Sequence, residues 1–495
     1  MLKRSNHSEK LIDFPNSTVK YCGIFYIYLK NKNMKKIVYL IAFYFLTLSN
    51  TFACIGSNGE HKGIDSVQNT EGCGISATEN VIVNPQILLY IIIALVLWEF
   101  ILTKVLGYLN YKNKSPELPE ELKEIYDEEK YAKSINYENT KYKFGLISSV
   151  FSIIITLAML MFGGFGWLDS FVRDFTQNPV LLALAFFGII SFVQTIIGLP
   201  FSYYSTFVIE EKFGFNKMTK KLFFLDTIKG LILSSLLGGG ILALVVWIYS
   251  IAGDNFWLYA WGLMTFISVF FMMFYSSLIV PIFNKQTPLE DGELRDAIQK
   301  FSNKVGFKLD NIFVIDGSKR SSKANAYFSG FGPKKRIVLY DTLIKDLETE
   351  ELVAVLAHEI GHYKRKHTLQ MLAFSTLQTW FMFYVFGLAL SFPEVSLALW
   401  ATEGSFHIGS IAFGILFAPI SIIMGLFASI LSRKNEYEAD EFAALNYDAE
   451  KLISALKKLS RNNLSNLTPH PAFEFFYYSH PNPLKRFAAL RNVKK

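Results

Sequence analysis

Residues 352–362 are LVAVLAHEIGH, an apolar run that ends in the pattern H-E-x-x-H. On a helix, His358 and His362 lie about one turn apart on the same face, so both imidazoles can reach one Zn²⁺ ion. Glu359 lies beside them and suits the general base that activates an attacking water. The run therefore predicts a buried helix that carries two zinc ligands and a base.

A third ligand must come from another part of the chain. Arg365 and Thr368 occupy the positions where a metzincin has Gly and His. The apolar residues that follow contain no Glu of the thermolysin type. His367 is about half a helical turn out of phase with His358, so the helical period predicts that it faces elsewhere.

The next candidates are in residues 435–440, NEYEAD. Glu436 and Asp440 share one helix face, whereas Glu438 points away. We assign Glu436 as the third ligand, and we expect Asp440 to accept a hydrogen bond from a ligand histidine. An ordinary solvated, charged helix is the alternative.

Composition indicates a membrane protein. The chain has 495 residues, of which 51% are hydrophobic and 18% are charged, whereas soluble chains average about 25% charged residues. A net charge of +7 would suit a nucleic-acid binder. However, the basic residues lie beside apolar runs rather than in one patch, so no nucleic-acid partner is predicted. The three cysteines lie far from the motif, which excludes a thiolate-rich zinc site.

Seven apolar stretches are long enough to cross a bilayer, which takes about 20 helical residues. They are Ile87–Leu109, Phe144–Leu168, Val180–Phe201, Leu231–Ala252, Phe256–Phe283, Leu369–Phe392 and Ile408–Leu431. Alternate connections, at residues 110–143, 205–229, 284–368 and 432–495, are rich in Lys and Arg. The intervening loops carry only Arg173. This alternation predicts that the basic connections, and the H-E-x-x-H motif with them, face the cytoplasm.

The long connection and the C-terminal tail then form one domain that two spans interrupt. Asn311–Asp316 and Arg336–Tyr340 alternate like short strands, and residues 350–366 have a helical pattern. The last two spans form a hairpin that returns Glu436 to the histidine pair. We therefore predict spans one to five over residues 85–284 and a zinc peptidase domain over residues 285–495.

The N-terminal region has a separate prediction. Residues 34–53 combine Met34, two lysines and an apolar run, which indicates a signal peptide, with an uncleaved anchor as the alternative. Residues 1–33 are then an extension, and residues 54–84 a non-cytoplasmic segment. Cys54 and Cys73 could form a disulfide in an oxidising compartment, and two free thiols are the alternative.

Several further motifs carry a resemblance to a known family. They are residues 209–217 (IEEKFGFNK), 281–285 (PIFNK), 318–328 (SKRSSKANAYF) and 479–486 (SHPNPLKR), together with 358–362 and 435–442. In this order they resemble the type I CAAX prenyl proteases, which are integral-membrane zinc metalloendopeptidases. The resemblance covers residues 85–495 and leaves residues 1–84 uncovered.

The resemblance implies a mainly α fold. Seven membrane helices surround a hydrated chamber, and a gluzincin-like zinc domain with a small β-sheet caps it. It also implies one Zn²⁺ per chain and protein or peptide substrates that are prenylated and are cleaved after the modified cysteine. The signal-like start at Met34 departs from the family pattern and suggests a bacterial inner membrane. In a eukaryote, the endoplasmic reticulum is expected.

Site residues outside the zinc motif also follow from the resemblance. Asn325 matches a position that binds the extended substrate backbone, and residues 325–328 suit an edge strand that pairs with substrate. His480 matches a histidine that stabilises the oxyanion, with Arg486 packing or pairing near the substrate. The alternatives are a turn-capping Asn325 and an ordinary surface His480. His407 and His470 are predicted to be structural. Lys319, Arg320 and Lys323 are predicted to form a solvated basic loop beside anionic lipid, with attraction of a substrate C-terminal carboxylate as the alternative.

Three functions are compatible with these patterns. Proteolysis of CAAX-type substrates leads. General quality control of membrane proteins, as in the related heat-shock metalloproteases, is a second enzyme function. A catalytically silent scaffold or a metal carrier is the alternative of another class, but pure binding has no need for an acid at Glu359. A transporter would place ionisable residues inside its spans, and the last three predicted spans have none.

Overall fold

The computed structural model describes residues 84–115, 117–307, 312–329 and 336–494. The predicted extension, the signal segment and the cysteine pair lie outside these residues. In chain order the α-helices of six or more residues are α1 (Pro85–Lys112), α2 (Glu128–Met161), α3 (Gly164–Arg173), α4 (Pro179–Tyr204), α5 (Lys220–Ala252), α6 (Phe256–Leu278), α7 (Glu293–Lys304), α8 (Asp341–Asp346), α9 (Thr349–Lys364), α10 (His367–Leu390), α11 (Phe406–Asn446), α12 (Ala449–Asn462), α13 (Pro471–Tyr477) and α14 (Pro483–Arg491). A π-helical segment, Ser205–Glu210, extends α4, and the strands are β1 (Gln286–Pro288), β2 (Ile312–Ile315), β3 (Ala326–Ser329) and β4 (Arg336–Tyr340).

Six helical stretches of the described chain are long and apolar enough to cross a membrane, against the seven predicted. The difference lies in Lys220–Phe283, which contains both predicted spans four and five. A short turn, Gly253–Asn255, separates α5 from α6. Lys229 Nζ near the start of α5 donates a hydrogen bond to the Ile282 carbonyl at 2.9 Å. The chain therefore folds back on itself, and this stretch makes two passes.

The predicted second span, Phe144–Leu168, is wrong at its C-terminal end. Helix α2 ends at Met161, and α3 begins at Gly164. Gly163 between them has φ of 69°, a left-handed conformation that glycine adopts without steric cost and that ends the helix. Leu168, the last residue of the predicted span, therefore lies in α3, where it is buried together with Val172.

The bundle contains a large cavity between α4 and α5, of about 1200 Å³. Its lining combines apolar residues with small and hydroxyl-bearing side chains, among them Ser191, Thr195, Ser202, Thr227, Ser234 and Ser235. Hydroxyl groups in an apolar bundle are placed where they find hydrogen-bond partners in helix carbonyls, as Thr195 and Thr227 do here. The predicted fold class, a mainly helical membrane bundle with a chamber and a small sheet, is confirmed.

A four-stranded sheet lies in the peptidase region, in the order β1-β2-β4-β3. Strands β2 and β4 are parallel, and the two outer pairs are antiparallel. The predicted strands Asn311–Asp316 and Arg336–Tyr340 are confirmed as β2 and β4 over their described residues. β3 is an edge strand, and no strand among the described residues pairs with its outer side, which suits the addition of an extended peptide.

Helix α9 is buried on nearly every side, with residues 352–357 all enclosed in the core that also contains the sheet. Leu352, Leu356 and Ile360 recur every four residues and are buried in the same core as Ile337 and Leu339 of β4. Each such side chain stabilises the fold by about 1.5–3 kcal/mol relative to an exposed position. The Glu348 and Glu351 side chains also form a capping box at the N-terminus of α9. The motif is thus carried on a rigid, well-anchored helix.

Residues that connect α1 and α2 also enter this core. Leu122, Ile125 and Tyr126 are buried there. The Tyr126 hydroxyl donates a hydrogen bond to the Ser460 carbonyl at 2.9 Å. The connection between α1 and α2 is thereby linked to α12. Its apolar residues, within 118–126, therefore face the peptidase region rather than solvent.

Candidate active site

Helices α9 and α11 bring the three predicted ligands together. His358 Nε2 lies 3.1 Å from His362 Nε2 and 3.4 Å from Glu436 Oε2. Glu436 Oε1 lies 3.3 Å from His362 Nε2. The three side chains form a group in which one atom of each lies within 4.8 Å of the others.

The donor set fits a metal ion. Ligand atoms at about 2.0–2.2 Å from a tetrahedral ion lie about 3.3–3.6 Å apart, which is close to the observed separations. Two imidazoles and a carboxylate are ligands that suit zinc in catalytic sites. The buried Glu436 Oε2 lies 3.4 Å from both His358 Nε2 and Arg486 Nη1, so this carboxylate faces the two imidazoles.

Asp440 and Arg486 hold the first histidine from behind. His358 Nδ1 lies 2.9 Å from Asp440 Oδ1, as the sequence predicts for a supporting carboxylate. Arg486 donates to both oxygens of Asp440, at 2.8 and 2.6 Å, and is itself buried. Through Nε and Nη2, Arg486 thus supports the ligand set by way of Asp440.

The carboxylates also control the protonation of His358. Burial alone would lower its pKa, but hydrogen bonds to Asp440 and Glu436 outweigh burial and raise the pKa to about 9. The two carboxylates thus favour the protonated, positively charged form of this imidazole. A metal ion must displace that proton, so the apparent metal affinity should rise with pH.

The remaining predicted residues line one cavity of about 340 Å³ with the three ligands. Glu359, Asn325, His480 and Arg486 all contribute to its wall. His480 Nε2 lies 3.3 Å from Glu436 Oε1, and its side chain is 65% exposed, so it is accessible to a bound substrate. Asn325 directly precedes the edge strand β3, and its side chain accepts a hydrogen bond from the Ala326 amide at 2.9 Å.

The prediction that His367 faces elsewhere is wrong. Helix α9 ends at Lys364, and Lys366 has φ of 60°, so the helical phase does not extend to His367. His367 Nδ1 instead lies 2.9 Å from His362 Nδ1. Glu438 does point away from Glu436, but its Oε2 reaches His367 Nε2 at 3.1 Å. The helical period did not predict the contacts of His367 and Glu438, because the break in the helix is the only local signal of them.

The expectation of a solvated basic loop at residues 319–323 is also wrong for two of its three cations. Arg320 donates to Asp226 at 2.8 Å, and Lys323 Nζ lies 2.9 Å from Glu210 Oε2. Lys323 also lies over the ring of Phe215 at 4.3 Å. These contacts fasten the loop before β3 to the ends of α4 and α5, so the cations position the site's edge strand.

Two histidines have structural roles, as predicted. His407 Nε2 lies 2.6 Å from the buried Asp169 Oδ1 and packs against Phe186. His470 Nδ1 accepts a hydrogen bond from the Ala472 amide at 3.2 Å and caps α13. Both are far along the chain from the motif, and their polar atoms have partners in the fold.

Gly361 within the motif sets the distance between α9 and α11. A Cβ at this position would lie 3.1 Å from both the Cα and the carbonyl oxygen of Ala439. Such contacts are tighter than ordinary van der Waals packing, and the neighbouring backbone atoms would have to shift to relieve them. The missing side chain therefore lets α11 approach closely enough for Glu436 to reach the histidines.

Replacing Gly361 by valine is expected to push α11 away from α9. The overpacking should lower the free energy of unfolding by about 1–3 kcal/mol. The displacement of Glu436 should also lower the metal content of the purified protein. Thermal unfolding in detergent and metal analysis of the purified protein measure the two effects. Gly425→Val on α11 is the matched control, because a Cβ there meets nothing within 4 Å. Wild-type metal content and melting temperature in Gly361→Val would contradict this role.

The fold and the family models that match it define an integral-membrane metalloendopeptidase. Residues 107–285 match the model of the CAAX prenyl protease N-terminal region with five membrane helices, and residues 288–494 match peptidase family M48. The chain belongs to the CAAX prenyl protease family.

Individual relatives agree with the family models. The chain is 37% identical over 424 residues to CAAX prenyl protease 1 of Saccharomyces cerevisiae, covering 80% of this chain and 94% of that protein. It is 32% identical over 445 residues to the human CAAX prenyl protease 1 homolog, covering 81% and 93%. The crystal structure of Ste24p from S. mikatae superposes with a TM-score of 0.77 at 36% identity, covering 81% of this chain and 99% of that one. These likenesses favour neither a quality-control protease nor a silent scaffold.

Proposed function

We propose that this chain is a zinc endopeptidase that cleaves CAAX-type peptide bonds near the C-terminus of prenylated proteins. The observation that carries the proposal is the convergence of two imidazoles, one carboxylate and Glu359 on a single cavity beside an edge strand. The relatives named CAAX prenyl protease 1 support the substrate class.

His358, His362 and Glu436 would hold one zinc ion per chain. Lewis-acid polarisation of the scissile carbonyl is the chemistry that zinc supplies when bound. Glu359 takes a proton from the attacking water and gives it to the leaving amine nitrogen. His480 donates a hydrogen bond to the carbonyl oxygen as negative charge develops there. Asp440 and Arg486 keep the His358 ring in place throughout.

The substrate backbone lies along β3. An extended peptide can pair with the free edge of this strand by main-chain hydrogen bonds, and Asn325 stands where the strand meets the zinc cavity. Pairing of this kind requires an extended segment, and the C-terminal residues of a CAAX-type substrate would supply one.

A second cavity supports a lipidated substrate. It has a volume of about 840 Å³ and shares Asn325 with the zinc cavity. Its wall combines Tyr275, Tyr327 and Tyr340 with the apolar side chains Phe271, Met272, Ile279, Val280 and Phe283. The volume is within the range of about 300–1,000 Å³ that is typical of small-molecule sites. A prenyl chain attached to a residue at the zinc cavity would find an apolar wall next to it.

Peptide cleavage tests the substrate class. A farnesylated C-terminal peptide should be cleaved with at least about 10-fold higher kcat/KM than its unprenylated twin, since each buried CH₂ contributes about 0.8 kcal/mol. An unfolded membrane protein should be cleaved slowly or not at all. Met272→Trp narrows the second cavity and should reduce the rate on the farnesylated peptide alone. Equal rates on all three substrates would favour general quality control instead.

The orientation is part of the proposal. The basic connections support a zinc site on the cytoplasmic side of the membrane, whether that is a bacterial inner membrane or the endoplasmic reticulum. Reporter fusions after residues 125, 215, 340 and 490 should report the cytoplasm. Fusions after residues 174, 254 and 400 should report the opposite side. A non-cytoplasmic signal at residue 340 would overturn this placement.

A further inference from the structure

The second ligand histidine is held from behind by a pair of side chains outside the motif. The Nε2 atom of His362 faces the other ligands, at 3.1 Å from His358 Nε2 and 3.3 Å from Glu436 Oε1. Its Nδ1 atom lies 2.9 Å from Nδ1 of His367. His367 Nε2 lies in turn 3.1 Å from Oε2 of Glu438. The three side chains form one continuous line of hydrogen bonds.

We propose that His367 and Glu438 are positioning residues that hold the His362 ring in the tautomer and orientation that a metal ion requires. The inference rests on the proposed metal site. A histidine binds a metal through an unprotonated nitrogen, so Nε2 of His362 must be free and its Nδ1 must carry the proton. The Nδ1–H group of His362 then donates a hydrogen bond to Nδ1 of His367, which carries its own proton on Nε2. The Nε2–H group of His367 donates a hydrogen bond to Glu438. The Glu438 carboxylate therefore fixes the tautomers of both rings.

The chain builds this line at a helix break. α9 ends two residues before Lys366, whose left-handed conformation turns the chain so that α10 begins at His367. The turn places the His367 ring against His362, edge to face at 5.1 Å between centroids, and leaves the side chain only 3% exposed. A continuous helix would have carried His367 to the other side of α9. The break is therefore required for the contact.

Burial gives the arrangement its strength. A buried imidazole whose two nitrogens both have partners has little freedom to rotate. Glu438 is also tied from the other side, since Lys434 Nζ lies 3.5 Å from its Oε1. Lys434 is partly exposed, so it completes the line at the surface.

The two ligand histidines are supported in parallel ways. His358 uses Asp440 directly, at 2.9 Å. His362 uses Glu438 through His367. Both carboxylates, and the ligand Glu436 itself, come from one stretch of α11. A single helix thus supplies one ligand and the anchors of the other two, so its position controls the whole site.

Metal affinity tests the proposal most directly. His367→Phe keeps the ring volume but removes the acceptor for His362, and we expect about 10–100-fold weaker zinc binding, the usual effect of losing such a partner. His367→Gln offers an amide oxygen at a similar reach and should recover part of the loss. Glu438→Leu should weaken zinc binding in the same direction by a smaller factor. Competition with a chromophoric chelator measures zinc dissociation constants of the folded, purified proteins.

The control is Glu441→Ala, also on α11. Glu441 is half-exposed and pairs with Arg365 on the surface at 3.3 Å, so zinc affinity should stay at the wild-type value. At saturating zinc, the His367 and Glu438 variants should keep the wild-type KM, because neither residue is proposed to contact substrate. A purely structural role predicts a lower melting temperature with unchanged zinc affinity.

The outcomes separate this inference from the function it rests on. Wild-type protein that binds no stoichiometric zinc would overturn the proposed metal site itself. Wild-type protein that binds zinc, with Glu438→Leu and His367→Phe binding it equally tightly, would overturn only the positioning role. Glu438 is partly exposed, so its leucine variant should fold and decide the question even if His367→Phe does not fold.

Discussion

The Glu359→Gln variant should lose about 10²–10⁴-fold in turnover, the usual contribution of a positioned acid–base group. Glutamine keeps the shape and can still form hydrogen bonds, but it cannot take a proton from water. Glu359 is not among the three clustered donors, so zinc content and melting temperature should stay at their wild-type values. Peptide turnover, metal analysis and thermal unfolding measure the three quantities on one preparation.

Substrate binding provides the control for this variant. The edge strand, Asn325 and the apolar second cavity are untouched, so KM or peptide affinity should change little. A scaffold or a metal carrier needs no general base. A null strain rescued to wild-type level by Glu359→Gln, at matched expression, would therefore contradict the proteolytic function.

Local patterns predicted those parts of the molecule in which sequence spacing alone sets the geometry. The i, i+4 spacing of His358 and His362 fixes their common face wherever the helix lies. The alternation at residues 336–340 predicted a strand with the observed bounds. Apolar run length predicted the passes through the membrane, and its largest overrun is where Gly163 ends α2.

Contacts between distant segments could not be predicted in the same way. Lys323 and Glu210 are 113 residues apart, and Arg320 and Asp226 are 94 apart, so neither pair leaves a local pattern. Each cation alone is indistinguishable from a solvated lysine or arginine. Their partners became evident only when the folded chain placed the loop before β3 against the ends of α4 and α5.

His367 shows a different limit of periodic reasoning. Its phase relative to His358 was extrapolated along a helix that in fact ends at Lys364. Three consecutive basic residues, 364–366, provide a C-terminal signal because cations stabilise the last turn of a helix. If the helix ends at this signal, the helical period says nothing about the direction of the His367 side chain.

The Glu436→Ala variant should empty the metal site. It removes one of three donors, so zinc affinity should fall by more than the ~10–100-fold that the loss of a supporting hydrogen bond costs. Lewis-acid polarisation is worth several kcal/mol, and each 1.4 kcal/mol is tenfold in rate, so turnover should fall by about 10³-fold or more. Metal analysis after gel filtration and single-turnover cleavage of the farnesylated peptide measure the two losses.

The fold should survive the loss of Glu436, which makes the result interpretable. Arg486 keeps both hydrogen bonds to Asp440, so removal of the carboxylate leaves no buried charge without a partner. Glu441→Ala on the same helix is the matched control and should retain about one zinc per chain with full activity, because Glu441 contacts Arg365 and not the ligands. Zinc retained at one ion per chain in Glu436→Ala would show that a different group completes the ligand set. His480, whose Nε2 lies 3.3 Å from Glu436 Oε1, would then be the first residue to replace.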